Sequence, residues 1–361
     1  MGNLRKILDN DGIQRCRAGT SALGLLSLFA LLTLLLWPRA SLAEDRAFGA
    51  ALLDFMQVAP GELASAGEKP LVVEIKVSER SRQAVYMGLA RLEDGAQSPF
   101  FLPGPGPVPS LMQPNQFGYF ENPAQAQDLD SLELDEDDYS VLEECRPQKC
   151  RFKLSTIGIA EAEALNWKAP GARQAFLGGF RTSLADEVSG FQAKGFSALI
   201  TYADKPTPYP VTTGIRRLLD EAKPVLDLYP RLSKTLADPE GPGESASGES
   251  DRVLWSVSDF GYRPTLSVDR LVYLDNAPPA DQGSVMALQN LYSNHYLAGR
   301  LQLGGILPEG SLPGQSGRYF WTLDLILFDD ALGTFKRSLL GRGLRSEVEG
   351  RLETIRSMGQ P

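Results

Sequence analysis

YFWTLDLILF, residues 319–328, and the segment that follows it, residues 332–356, carry the strongest signal of the fold class. Alternate side chains of a β-strand lie on one face, so Asp324 shares a face with Thr322 and Ile326, while the opposite face is apolar or aromatic. Residues 332–356 carry apolar side chains every three or four positions, a spacing that predicts an amphipathic helix. Together they predict a sheet that is buried on at least one face and is followed by a long C-terminal helix.

The same alternation recurs along the chain and predicts further strands. The predicted strands are residues 71–77, 84–92, 196–202, 252–258, 264–274 and 295–303. Helical spacing covers 177–191 and, with breaks expected at Pro224 and Pro230, 212–236. A hairpin, helices, antiparallel strands and a long helix predict an α+β fold with helices on one face of an antiparallel sheet. This order loosely resembles the START-like helix-grip arrangement, in which a curved sheet and a C-terminal helix enclose an apolar cavity.

The N-terminus has the pattern of a secretory signal peptide. Basic residues precede an apolar run from Ala22 to Trp37, and Ser41 and Ala43 supply small side chains at a cleavage site. The run has 16 residues, fewer than the roughly 20 that a membrane-spanning helix needs. We therefore predict cleavage after Ala43, no membrane span in the mature chain, and a periplasmic or secreted location. An uncleaved anchor is the alternative.

Residues 44–361 are predicted to form a single α+β domain. It has an N-terminal hairpin and loop part (44–160), a helical part (161–236), and the antiparallel sheet with the C-terminal helix (252–361). Removing residues 1–43, with five basic and two acidic residues, changes the formal net charge from −9 to −12. This acidic balance disfavours nucleic acid and anionic membrane surfaces as partners, because both require a basic surface.

Two cysteines, Cys145 and Cys150, follow the predicted signal peptide in the segment CRPQKC. An even number of cysteines in an exported chain predicts a disulfide between them. A metal site needs about four ligands, and with one histidine we predict none. The chain also lacks a phosphate-binding loop, a zinc-protease helix, a nucleophile elbow and a dinucleotide fingerprint, so no cofactor is predicted.

The one histidine, His295, stands at the start of the predicted strand 295–303. Strand alternation puts it on the same face as Leu297 and Leu301, pointing inward, where burial favours the neutral imidazole. Three roles stay open at this point: a core residue bonded to a carbonyl or a tyrosine, a ligand contact, and a catalytic base. Two roles also stay open for Asp324: a residue of a functional site, or an acid that faces outward or pairs with Arg270 or Arg300.

Four segments resemble a family of exported bacterial proteins that has no established function. They are CRPQKCRFKLS (145–155), GFSALITYAD (195–204), WSVSDFGYRPTLSVDRLVYL (255–274) and LYSNHYLAGRLQL (291–303). The resemblance extends over roughly residues 70–345 and implies a shared fold and compartment, but no reaction. In that family the strand equivalent to 319–328 has an arginine-containing polar centre, and the Asp324–Leu327 segment departs from it.

Our leading hypothesis is a non-catalytic protein that binds a lipid-like or other hydrophobic small molecule between the sheet and the C-terminal helix. Pockets of this kind are mostly apolar, with a few polar groups that orient the ligand. The candidate ligand-binding residues are Trp255, Tyr273, Tyr292, His295, Leu297, Leu301, Trp321 and Asp324. A solid core without a cavity is the competing interpretation.

Two other functions remain open. One is a cofactor-free hydrolase in which His295 works with Asp324 or a tyrosine, which requires those groups within hydrogen-bond reach. Asp259 and Asp269 are further acid candidates. The other is an accessory protein of an envelope complex that docks through the Pro-rich loop 103–115 or the acidic stretch 128–138. That acidic stretch is otherwise predicted to be a solvated loop or a helix start.

Overall fold

A computed structural model describes residues 48–358 apart from 59, 76, 78–81, 94–98, 103–106, 239–248, 261–262, 276–282 and 331–333. The predicted signal peptide and parts of the loops 103–115 and 238–251 therefore lie outside the described residues. Among the residues that are described, no helix is both long and apolar enough to cross a membrane.

Eight antiparallel strands form the main sheet, in the order β1-β2-β12-β11-β10-β9-β8-β5. The strands are β1 (Leu71–Glu74), β2 (Gln83–Arg91), β3 (Phe101–Leu102), β4 (Val108–Pro109), β5 (Gln116–Tyr119), β6 (Thr201–Tyr202), β7 (Tyr209–Pro210), β8 (Glu249–Phe260), β9 (Arg263–Leu274), β10 (Val285–Ser293), β11 (Leu297–Leu307) and β12 (Tyr319–Phe328). The pairs β3–β4 and β6–β7 form small separate ladders. Strand β12 returns beside β2, which joins the N-terminal hairpin to the C-terminal strands.

Helices pack against both faces of this sheet. They are α1 (residues 48–56), α2 (Pro60–Leu63), α3 (Glu136–Glu143), α4 (Thr156–Ala164), α5 (Ala172–Lys194), α6 (Val211–Leu226), α7 (Pro230–Ala237) and α8 (Thr334–Ser357). The predicted α+β class, antiparallel sheet and long C-terminal helix are confirmed. The expectation that helices lie on one face only is wrong, because α8 covers one face while α6 and α7 cover the other.

Strand β12 illustrates how side-chain alternation divides two hydrophobic cores. Trp321 and Leu323 pack on one face of the sheet, in the cluster that contains α6 and α7. Phe320 and Ile326 pack on the opposite face, in the cluster that contains Val348 of α8. Because helices cover both faces, every residue of β12 is buried.

Strand β10 is the longest of the strands that the sequence pattern missed. Its residues, VMALQNLYS, are all buried, so they show no alternation of polar and apolar positions. The polar ones make internal bonds: Gln289 Nε2 donates to the carbonyl of Leu236 at 3.1 Å, and Asn290 Nδ2 donates to that of Tyr292 at 2.8 Å. A strand whose polar side chains are buried and bond inside the protein gives no period-two signal.

Two helical-region predictions also need correction. Residues 196–202 are not a buried strand: Gly195, with φ of 60°, ends α5 and begins a 3₁₀ turn, and only Thr201–Tyr202 is extended. Pro224 does not end its helix either, since α6 continues to Leu226, although Pro230 does begin α7. Pro224 is tolerated because it lies in the last turn of α6, so the hydrogen bond that it removes affects only the end of the helix.

Candidate functional site

His295 lies in the turn between β10 and β11, ahead of the strand that was predicted to contain it. Tyr296 next to it has a φ of 52°, and the pairing register shifts between Leu297 and Gly299. Leu297 consequently packs on the α8 side of the sheet, whereas Leu301 packs on the α6 side. The predicted common face is therefore wrong, because a bulge reverses the alternation.

Both ring nitrogens of His295 have partners, and the side chain is 3 % exposed. Nε2 lies 2.6 Å from Oδ1 of Asp138, and Nδ1 lies 3.0 Å from the carbonyl oxygen of Arg151. A carbonyl can only accept, so Nδ1 must carry a hydrogen and donate it to Arg151. The contact between Nε2 and Oδ1 of Asp138 makes the two side chains a buried hydrogen-bonded pair.

Helix α3 and a disulfide hold this pair. Asp135 is the N-cap of α3, and its Oδ1 accepts a hydrogen bond of 2.7 Å from the backbone N–H of Asp138. A carboxylate in the first turn also interacts favourably with the positive end of the helix. The predicted disulfide between Cys145 and Cys150 is present and ties the end of α3 to the segment that begins at Arg151. The acidic stretch 128–138 therefore ends in the first turn of α3, which agrees with the predicted helix start.

A cavity of about 170 Å³ lies beside Asp138. Its lining residues are Asn115, Gln116, Glu133, Leu134, Asp135, Asp138, Val257, Pro264, Leu266 and Asn294. Asn294 is 1 % exposed, and its Oδ1 accepts a hydrogen bond of 2.9 Å from the N–H of Leu266. Its Nδ2 has no partner among the described residues. We call this space the Asp138 cavity.

The Asp138 cavity has acidic and apolar parts. Three of its lining residues, Glu133, Asp135 and Asp138, are carboxylates, and none is a lysine or arginine. Four others supply an apolar wall: Leu134, Val257, Pro264 and Leu266. No group of three or more His, Cys, Asp or Glu side chains in the described part of the chain is arranged to hold a metal ion. The cavity is suited to a ligand that donates hydrogen bonds or carries positive charge.

The structure does not bring the eight sequence-predicted ligand residues together. Trp255 and Tyr292 lie in the cluster around α4 and α5, where His295 also contacts Phe152. The α6 face holds Leu301 and Trp321. The α8 face holds Tyr273, Leu297 and, through its bond to α8, Asp324. The sheet separates the last two groups, so they cannot line one space.

Asp324 is the centre of a buried charged network between the sheet and α8. Its Oδ2 accepts from Arg351 at 2.7 Å, and its Oδ1 accepts from Arg300 at 3.1 Å and from Gln302 at 2.8 Å. Burial alone raises the pKa of Asp324, but Arg351 and Arg300 outweigh burial and lower it. The predicted pair with Arg300 is confirmed, whereas Arg270 pairs with Asp251 at 2.7 Å.

A polar cleft adjoins this network beneath α8, where the sequence predicted an apolar cavity. Its lining residues are Met112, Gln113, Ser256, Ser258, Thr265, Ser267, Asp269, Leu297, Arg300, Gln302 and Glu347. Burial raises the pKa of Asp269 to about 6, despite a hydrogen bond from Asn290. Only two of these side chains, Met112 and Leu297, are apolar, and the free volume of about 20 Å³ is too small to enclose a hydrophobic ligand.

His295 and Asp324, the pair considered for a hydrolase, have separate partners. The ring nitrogens of His295 contact Asp138 and Arg151, whereas Asp324 is bonded to side chains of β11 and α8. Within the described ranges no hydroxyl or thiol bonds to the imidazole, since Ser293 Oγ donates to the backbone carbonyl of His295 instead. The geometry therefore gives His295 no nucleophile to activate.

Sequence reasoning missed Asp138 and Asn294 as site residues. Asp138 was one of several acids in the stretch 128–138, and its contact with His295 crosses 157 positions of the chain. Asn294 adjoins His295 in sequence, but nothing in the pattern indicates that it lines a cavity. A capping aspartate three residues before Asp138 is the one local signal, and it predicts only the helix start.

No protein-family model matches this chain, and no curated protein is significantly similar to it in sequence.

Proposed function

We propose that this is an exported, non-catalytic binding protein whose Asp138 cavity takes a small molecule with a protonated amine or similar donor group. Export is supported by the signal-peptide pattern of the sequence together with the disulfide, which oxidising compartments favour. The ligand differs in class from the lipid-like molecule expected from the sequence, because acidic side chains form much of the cavity.

One observation carries the proposal: Asn294, buried to 1 % exposure, has an unpartnered Nδ2 beside a cavity that Asp138 also lines. Leaving a buried donor without a partner costs about 1–3 kcal/mol. Native proteins have few such groups, and each is a candidate for contact with a bound molecule or an ordered water.

The cavity volume limits the size of the ligand. An apolar cavity of about 150 Å³ holds one benzene molecule, and the Asp138 cavity has about 170 Å³. A single ring or a short branched chain fits against Leu134, Val257 and Leu266, with its donor group at the carboxylates. A long acyl chain exceeds this volume, so most of it would lie outside the cavity.

His295 acts in this proposal by positioning Asp138. The imidazole does not line the cavity and reaches it only through the bond to Oδ1 of Asp138. The second carboxylate oxygen then remains available to a ligand. This arrangement fixes the direction of the carboxylate before binding, which lowers the entropic cost of binding.

Isothermal titration calorimetry on residues 44–361 tests the proposal with three probes of similar size: benzylamine, benzyl alcohol and benzoate. We expect benzylamine to bind most tightly and benzoate not at all. Asp138→Asn should weaken benzylamine binding about tenfold, because a hydrogen bond to a charged group is lost. Asp137→Asn is the matched control, since Asp137 is exposed on the same helix and does not line the cavity.

Equal binding of benzoate and benzylamine would contradict the proposed acidic site. Equal weakening by Asp137→Asn and Asp138→Asn would show a general charge effect and would also contradict it.

A further inference from the structure

A second cleft lies between α4 and α5 and shares no lining residue with the Asp138 cavity. Its walls are mainly apolar and include Leu154, Phe176, Phe180 and Leu184. The free volume inside it is about 20 Å³, room for roughly one water molecule or one ammonium group. The cleft is therefore too small to enclose a separate ligand, and only the tip of a side chain can enter it.

Glu187 of α5 lines this cleft and makes no hydrogen bond or ion pair with any described residue. Burial raises the pKa of Glu187 to about 8, with no cation close enough to oppose the effect. A partly buried carboxyl without a partner is costly to ionise, so an incoming cation would gain an interaction that the protein itself does not supply. Glu161 of α4 adds a second acid to the lining, and no lysine or arginine lines the cleft.

Ile157 lies on α4, beside Gly158, which lines the cleft. Its side chain is 72 % exposed, and it is the one large hydrophobic side chain that is exposed in the described part of the chain. A single exposed apolar residue is ordinary. Ile157 precedes Glu161, which lines the cleft, by four positions on α4, so the two side chains lie on the same face of the helix.

We propose that this surface, Ile157 together with the cleft that contains Glu187, docks a segment of another protein that presents an apolar side chain beside a lysine. The apolar side chain packs on Ile157, and the lysine ammonium enters the cleft and pairs with Glu187. A lysine is favoured because its ammonium would stabilise the ionised form of Glu187 beside Glu161, and the small free volume selects a side chain over a free small molecule. The surface is distinct from the Pro-rich and acidic loops considered from the sequence.

Fluorescence anisotropy with short labelled peptides of glycine and serine tests this proposal. The test peptide carries one leucine and one lysine, and the matched peptides carry glutamine or glutamate in place of the lysine. We expect the lysine peptide to bind about fivefold more tightly than the glutamine peptide, the upper range for a pair near the surface. Glu187→Gln should remove this preference, and Ile157→Ser should weaken all the peptides.

Asp186→Asn is the matched control, because Asp186 is an exposed acid next to Glu187 that does not line the cleft. It should keep the lysine preference, and circular dichroism should show that all three variants are folded. No binding at about 1 mM peptide, or a lysine preference that survives Glu187→Gln, would overturn the proposal. Equally tight binding of free n-butylamine would also overturn it, since the cleft would then be a small-amine site.

Discussion

Single polar residues inside this protein have specific sets of partners, and His295 is the clearest example. A carbonyl, a carboxylate and the edge of the Phe152 ring surround its imidazole. Of the roles that the sequence left open for His295, catalysis fits this arrangement least, since a buried pair with Asp138 leaves neither ring nitrogen available for proton transfer to a substrate.

Removing the imidazole should destabilise the protein. His295→Ala leaves Asp138 buried at 3 % exposure without its partner, and breaking a buried pair costs about 3 kcal/mol or more. Urea unfolding of residues 44–361 measures the loss. The double variant His295→Ala/Asp138→Ala should lose less than the sum of the two single variants, and simple additivity would contradict the paired arrangement.

Glu187 should make stability depend on pH. Its folded pKa, about 8, lies above its ordinary value of 4.5, so between these two values the folded state holds a proton that the unfolded state has released. Stability is therefore highest below the unfolded pKa and falls as pH rises toward the folded pKa, by at most about 1.4 kcal/mol per pH unit. Glu187→Gln should gain stability relative to the wild type across this range. Thermal melts between about pH 5 and pH 8 test the sign, and parallel curves for the two proteins would refute it.

At the scale of elements, one covalent link and one ionic link fix the positions of helices near the two polar sites. The disulfide follows α3 and fixes the segment whose carbonyl accepts from His295. On another part of the molecule, Arg351 of α8 reaches Asp324 of β12 at 2.7 Å. Apolar packing surrounds both links, so we infer that each link fixes where a helix lies more than it causes the helix to form.

The disulfide should make a modest contribution to the free energy of unfolding and should also help to position the residues of the Asp138 cavity. Cys145→Ser/Cys150→Ser should lower the free energy of unfolding by about 2 kcal/mol, the chain-entropy value for so short a loop. Because the linked segment orients Asp138 and His295, the same variant should weaken benzylamine binding. Unchanged benzylamine affinity in a destabilised variant would mean that the loop does not position the site.

Breaking the ion pair between Arg351 of α8 and Asp324 of the sheet should also lower the free energy of unfolding. Arg351→Met leaves Asp324 with Arg300 as its remaining cation, so we expect a loss of about 2 kcal/mol, less than for an acid left wholly unpaired. Adding Asp324→Leu should recover part of this loss, because the buried charge is then gone. Urea unfolding of the two single variants and the double variant measures the pairing, and losses that simply add would argue against it.

At the scale of the whole molecule, the sequence predicts the class of fold better than it predicts the site. The period of two in β12 and the three- and four-residue spacing of α8 follow from local geometry, and both elements are confirmed. The sequence pattern did not predict strand β10, because the polar residues of this strand are buried and bond inside the protein. The sequence did not predict the site, because Asp138 and His295 meet only through the tertiary fold. In addition, a bulge after His295 places Leu297 and Leu301 on opposite faces of the sheet.

Binding of a small donor-bearing molecule in the Asp138 cavity is tested most directly by an NMR titration of isotope-labelled residues 44–361 with benzylamine. We predict saturable shifts of the Asn294 side-chain amide and of Val257 and Leu266, and their loss in Asp138→Asn. Shifts confined to other surfaces, or an Asn294 amide that does not respond at saturating benzylamine, would contradict the proposed site.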